Sequence, residues 1–207
     1  MRQWVIDQLT RPDRPQRPCR SDYDLNPSLR GRMRNKYNGR PAAVLVPLVD
    51  DAQGLSVLLT ERTHHLDNHA GQVSFPGGSR DAGDADPVAT ALREAHEEIG
   101  LVTDLVQVIG DLDTYRTSTG FRVTPVVGLV DPAFDPTPDP HEVAEVFRVP
   151  LDFFLNPANH RVDSRMWMGA ERFFYAMPYD GHYIWGATAA MLVNLYDVLT
   201  FDAPINV

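Results

Sequence analysis

Three glutamates fall within five residues in the stretch Arg93-Glu94-Ala95-His96-Glu97-Glu98-Ile99-Gly100. At the helical step of about 100° per residue, Glu97 and Glu98 lie about 60° and 40° to either side of Glu94, so the three carboxylates share one face. Such crowding works against stability. Like charges at i, i+4 repel by roughly 0.2–0.5 kcal/mol, and negative charge near a helix C-terminus opposes the helix dipole. Arg93, four residues before Glu97, is the nearby compensating charge. A hard divalent cation, Mg²⁺ or Mn²⁺, removes the conflict, because it takes oxygen ligands and recruits phosphate oxygens of a substrate. The competing reading is an ordinary solvated acidic face. Just upstream, Gly77-Gly78 lets backbone approach a ligand closely, and its carbonyls can complete a metal shell.

These residues need elements to hold them. Asp86 as N-cap, Pro87 at the first helical position and Gly100 after the last one predict a helix over Pro87–Ile99. The runs 41–49 and 55–62 are apolar and β-rich, separated by the turn residues DDAQG, and predict a hairpin. Residues 105–116 and 121–130 are again strand-like, and 171–185 predicts a strand pair around Asp180-Gly181. A second helix is expected over about 186–199, where Ala189, Ala190, Val193, Leu195 and Leu199 make an apolar stripe. Residues 1–40 form an Arg- and Pro-rich arm with one short helix over 2–10; the compact domain then spans 41–207. Strands mixed with few helices indicate a layered α/β or α+β domain.

Composition narrows the function. The chain has 207 residues and a net charge of −9, unevenly spread. Residues 1–40 hold ten bases against four acids, leaving residues 41–207 with nine against twenty-four. So acidic a body repels nucleic acid unless a basic patch or a bound cation intervenes. The arm supplies the one candidate patch, but its prolines and few aromatics do not resemble a binding groove. It could equally pack across the acidic body of its own chain or of a dimer partner. The single Cys19 excludes an internal disulfide framework and suits a reducing compartment. The N-terminus lacks the apolar core of a secretory signal, and no apolar run reaches the roughly 18 residues of a membrane span. A cytoplasmic protein is expected.

The segment from Gly77-Gly78 to Arg93-Glu94-Ala95-His96-Glu97-Glu98-Ile99-Gly100-Leu101 resembles the Nudix box, G-x5-E-x7-R-E-U-x-E-E-x-G-U with U aliphatic. Its terminal part matches fully. The front is one residue longer, and Ala85 stands where the early glutamate is expected, with Asp81 or Asp84 as substitutes. The longer, Asp-containing loop is similar to the coenzyme A pyrophosphatase branch of the family. So is the upstream run Leu58-Leu59-Thr60-Glu61-Arg62 through Gly71 to Phe75-Pro76-Gly77-Gly78, with two departures: Thr63 replaces Ser or Ala, and Asp67 replaces Arg.

The resemblance implies an α/β/α sandwich with a mixed sheet. It also implies a metal-dependent hydrolase that cleaves the pyrophosphate of coenzyme A or acyl-coenzyme A into 3′,5′-ADP and the phosphopantetheine. Glu94, Glu97 and Glu98 are then the metal ligands with a carbonyl of Gly78, and Arg93 orients them. Glu142 is the candidate general base, with Glu145 its rival. Arg62, His69, Gly71, Phe75, Gly77 and Gly78 are the candidate substrate-binding positions. His64, His65 and His69 suit phosphate or backbone contacts better than a hard cation. Phe173, Phe174, Tyr183 and Trp185 read as core before nucleotide platform. Two alternatives stand beside this reading. One is a Nudix hydrolase of another nucleoside diphosphate derivative, such as a dinucleotide or ADP-ribose-like compound; the other is a non-catalytic nucleotide-sensing module.

Overall fold

The computed structural model describes residues 1–14, 19–29, 39–64, 70–167 and 169–201. Its centre is the hairpin expected from the sequence, β2 (Arg40–Asp51) and β3 (Gly54–Arg62), which follows the short strand β1 (Arg20–Ser21). Side chains of β2 alternate between two cores. Ala42, Val46 and Leu48 join one, while Ala43, Leu45 and Val49 join the other. A strand covered on both faces needs apolar residues at successive positions, which explains the unbroken run Ala42–Val49. β8 (Phe121–Val130) runs parallel to β2 over its length, and β9 (Val143–Pro150) runs antiparallel to β3. β4 (Val73–Ser74), β5 (Gly77–Ser79), β6 (Val106–Asp111) and β7 (Tyr115–Arg116) complete a mixed nine-stranded sheet. A second sheet is formed by β10 (Arg161–Trp167), β11 (Ala170–Tyr179) and β12 (His182–Trp185). Asp180 and Gly181, both at positive φ, turn β11 into β12 as the sequence cue requires.

Helices cover both faces of the large sheet. α1 (Arg2–Thr10) buries Val5 and Leu9 against one face. The same core holds α3 (Leu151–Leu155) and α4 (Ala187–Thr200), and α4 is buried almost all round. The other face is covered by α2 (Pro87–Ile99) through Ala91, Ala95 and Ile99. This is the expected α/β/α sandwich. Three elements carry weaker sequence cues than the rest. Gly77-Gly78 lies in a strand on β2, the residues from Val143 form β9, and β10 is an extra strand.

The N-terminal stretch is stitched to the body. Arg20 donates to Asp113 at 3.1 Å and to Asp197 at 2.8 Å, and Asn194 also donates to Asp113. Asp22 accepts from the Tyr115 hydroxyl (2.7 Å), from Arg172 (2.7 Å) and from the Ser118 N–H (2.6 Å). Its charge and the burial of the ring, burial foremost, raise the Tyr115 pKa. Asp22→Ala leaves the mostly buried Arg172 guanidinium with the Ser118 hydroxyl but no carboxylate, and the buried Tyr115 hydroxyl without its acceptor, which is expected to cost about 3 kcal/mol. Tyr115→Phe removes one bond and is expected to cost about 1 kcal/mol. Urea midpoints of the two variants check both values and their order.

Candidate active site

The site is built where α2 faces the end of the β2–β3 hairpin. The Asp86 carboxylate caps the helix by accepting from the Ala89 N–H at 2.8 Å. Gly100, at φ 72°, ends it, with its N–H on the His96 carbonyl. The carbonyls of Glu98 and Ile99 accept from the N–H groups of Asp139 and Thr137, both at 2.9 Å. The acidic C-terminal turn is therefore held by backbone donors from the loop that leads to β9.

The three carboxylates do not share one environment. Glu98 is 4% exposed; Glu94 keeps 17% of its side-chain exposure and Glu97 58%. Arg93 accounts for the division. Its guanidinium reaches Glu97 (2.8 Å), Glu94 (3.0 Å), the Ser79 carbonyl (3.0 Å) and Asp84, the last through two bonds of 3.1 Å. Of the two aspartates that could stand in for the glutamate missing at Ala85, Asp84 is the one paired with Arg93, while Asp81 meets Asp84 through its backbone N–H and carbonyl. This fork, followed by the Asp81 N–H, holds the Asp84 carboxyl well below the usual range. Glu97 leans outward on Arg93, while Glu94 and Glu98 turn towards β5 and β3.

Glycine is required opposite these carboxylates. A Cβ on Gly78 would stand 2.5 Å from Glu94 Oε2, and one on Gly77 would stand 2.5 Å from the Ala43 carbonyl oxygen. The Gly77 N–H donates to Glu98 at 3.3 Å. Arg62 lies 3.8 Å from Glu98 and 3.9 Å from Glu142, so one guanidinium bridges the helix and the β9 loop. Glu142 sits in the turn before β9, fixed by its carbonyl on the Thr63 N–H (3.0 Å) and its own N–H on Asp139 (3.0 Å). Thr63, buried, satisfies its hydroxyl on the His141 carbonyl, which is why it fits where Ser or Ala was expected.

Burial, more than any neighbour, lifts the Glu98 pKa to about 8; Arg62 opposes the rise, and Glu142 and Glu94 add to it. Glu94 is shifted upward for the same leading reason, against its bond from Arg93. Two carboxylates that protein charges neutralise only in part and that face the backbone of Gly77 and Gly78 suit a hard cation, and Glu94, Glu98 and the Gly78 backbone could hold one.

Other expected positions are distributed differently. Phe75 is 2% exposed and packs in the core under the Gly-Gly segment. Gly71 packs against the His64 ring and donates to the Arg62 carbonyl, closing the loop after β3. His65, Asp67 and His69 lie outside the described residues. Glu145 does not join Glu142. It lies with Glu61 and His182 on the face of β3 away from α2, their ligand atoms within 4.8 Å of one another, where the His182 ring stacks on Phe147 at 3.7 Å. Strand alternation puts Glu61 and Arg62 on opposite faces, but which residues face them could be known only from the pairing of β3 with β9. The anchoring role of Asp139 also escaped the sequence reading; its one cue was an Asp followed by Pro-His before a strand.

A layered sandwich in which a glycine strand faces a helix of arginine-locked glutamates defines a class of hydrolase. Comparison with known proteins agrees. The NUDIX domain model matches residues 39–183. The chain is 40% identical over 168 residues to the uncharacterized Nudix hydrolase NudL of Enterobacter sp. (strain 638), covering 81% of this chain and 87% of that one. It is also 40% identical over 177 residues to the mitochondrial Nudix hydrolase 15 of Arabidopsis thaliana, covering 82% of this chain but 62% of that longer protein. In fold it is similar to the Nudix hydrolase RenU of M. smegmatis, with a TM-score of 0.50 at 22% identity over 83% of this chain and 92% of that one. The chain belongs to the Nudix family and is a hydrolase of nucleoside diphosphate derivatives. No helix among the described residues is long and apolar enough to cross a membrane.

The raised Glu98 pKa has a measurable sign. Between about pH 4.5 and 8 the folded protein keeps a proton that the unfolded chain has lost, so metal-free stability falls as pH rises through that window, by at most about 1.4 kcal/mol per pH unit. In chelator, Glu98→Gln is expected to flatten this dependence and to be the more stable protein at pH 8. Urea denaturation from pH 5 to 8 checks it.

Proposed function

We propose that the chain hydrolyses the pyrophosphate bond of coenzyme A and acyl-coenzyme A, with Mg²⁺ or Mn²⁺ held by Glu94, Glu98 and the Gly78 carbonyl, Glu97 assisting. The observation that carries this reading is the run from Leu58 through Gly71 to Gly78, which keeps the register of the coenzyme A branch and leads into the glutamate helix. When bound, such a cation would supply charge neutralisation on the diphosphate and lower the pKa of a water it holds.

The remaining work falls to side chains of the chain itself. Arg93 holds Glu94 and Glu97 in fixed positions, so no reorganisation is needed when substrate enters. Arg62 presents a planar donor fork suited to a phosphate, and an arriving phosphate competes with Glu142 for it. Glu142, half exposed and freed from Arg62 in that exchange, takes the proton of the attacking water. Water oxygen joins one phosphorus, the bridging P–O bond breaks, and 3′,5′-ADP leaves with the phosphopantetheine bearing the other phosphate. A reducing compartment, the cytoplasm, fits the single cysteine.

One observation favours a second reading. Asp67 puts an anion where the branch pattern has arginine, which disfavours an additional phosphate and favours a dinucleotide or ADP-ribose-like substrate. Mass spectrometry of products from coenzyme A, acetyl-coenzyme A, dephospho-coenzyme A, ADP-ribose and a dinucleoside polyphosphate separates the two. The proposal expects coenzyme A substrates to have the highest kcat/KM. A tenfold preference for a compound lacking the 3′-phosphate would overturn it. With the best substrate and saturating Mn²⁺, Glu98→Gln is expected to lower kcat by about 10²-fold or more, through loss of a ligand charge.

A further inference from the structure

Strand β10 is the outer strand of the small sheet, and among the described residues no strand pairs along its other side. The direction of its free groups can be read from its neighbour. Phe173, opposite Ser164, directs both its N–H and its carbonyl to the Asn26 side chain, at 2.8 Å each, and the Tyr175 carbonyl accepts from Gly186 next to β12. The backbone groups of 173 and 175 therefore point away from β10. It follows that Val162, Ser164 and Met166 of β10 direct theirs away from β11, to the open edge. Met166 is 70% exposed, Val162 52% and Trp167 37%. Monomeric proteins shield such an edge with proline, bulges or a covering loop, and exposed apolar residues along one are a template for pairing.

The strand reads Arg161-Val162-Asp163-Ser164-Arg165-Met166-Trp167 and is complementary to itself about Ser164. Laid antiparallel on a second copy with Ser164 opposite Ser164, Asp163 meets Arg165, Val162 meets Met166 and Arg161 meets Trp167, and each pair occurs twice. The register also matches the backbone. Val162, Ser164 and Met166, the residues with outward groups, fall opposite one another, so every outward N–H finds a carbonyl. Asp163 and Arg165 then occupy the non-hydrogen-bonded positions, where side chains approach most closely. A register shifted by two residues in either direction breaks the pairing of Asp163 with Arg165.

We propose that β10 pairs with β10 of a second copy in this register, making a two-fold dimer whose two small sheets continue as one. The occupant is a second copy because the charge pattern and the hydrogen-bonding phase of this one strand are both satisfied by itself.

Sedimentation equilibrium of the full chain with charge variants tests this. Wild type is expected to dimerise. Asp163→Arg and Arg165→Asp each place like charges opposite one another twice and are expected to weaken the dimer at least about tenfold, while the double variant recovers to within about threefold. Circular dichroism guards against misfolding of the singles, and Ser164→Cys gives a readout that does not depend on them. Mild oxidation is expected to link 164 to 164 across the axis, where the Cα atoms are about 5.5 Å apart. Val162→Cys should not link, since the offset of four residues separates its two copies by about 14 Å. A single-chain mass at every concentration reached overturns the proposal. So does a dimer insensitive to both charge variants, or crosslinking at 162 in preference to 164.

Discussion

The site depends on one guanidinium. Arg93 joins the loop before the helix, through Asp84 and the Ser79 carbonyl, to two of the three glutamates of the helix itself. Without that charge, Glu94 and Glu97 would repel each other one turn from a helix C-terminus. With it, they are held apart. Glu97 is drawn to the surface, and Glu94 is held against the backbone of Gly78. No bond from Arg93 to Glu98 is found, and among the described residues the most buried of the three carboxylates has Arg62, at 3.8 Å, as its ion-pair partner.

The sheet brings further charged side chains to this local arrangement. β3 carries Arg62 towards α2, and β9, paired to β3, brings Glu142 to the same end. Backbone bonds from Thr137 and Asp139 to the last helical carbonyls tie the β9 loop to the acidic helix directly. The same bonds satisfy orphan carbonyls that the helix would otherwise expose. Stability of the helix end and position of Glu142 therefore come from one set of contacts.

The basic N-terminal stretch shows how charge asymmetry in a sequence can be resolved within the chain. Arg14 and Arg20 meet Asp111, Asp113 and Asp197 of the acidic body, and Asp22 receives Arg172 in return. Within the described part of this stretch the arginines named here are occupied by carboxylates, and helix 2–10 contributes Val5 and Leu9 to a core. Such pairing leaves less positive charge for a polyanion than the residue count suggests.

Much of this was legible in the order of residues. Helix 87–99 was bounded by Asp86, Pro87 and Gly100 because caps act within a turn of their own position. The β2–β3 and β11–β12 hairpins followed from turn residues between apolar runs for the same reason. The glutamate spacing marked the site, since helical periodicity is a local property. Periodicity placed the three carboxylates on one face but could not rank them. Burial of Glu98, exposure of Glu97 and the choice of Asp84 over Asp81 depend on a strand, a loop and an arginine meeting at a point. Likewise, that Glu142 faces Arg62 while Glu145 turns to His182 is decided by the register of β9 on β3, a contact spanning some eighty residues. Short-range chemistry wrote the elements into the sequence; which side chains share a dielectric and a partner was left to the packing of the sheet.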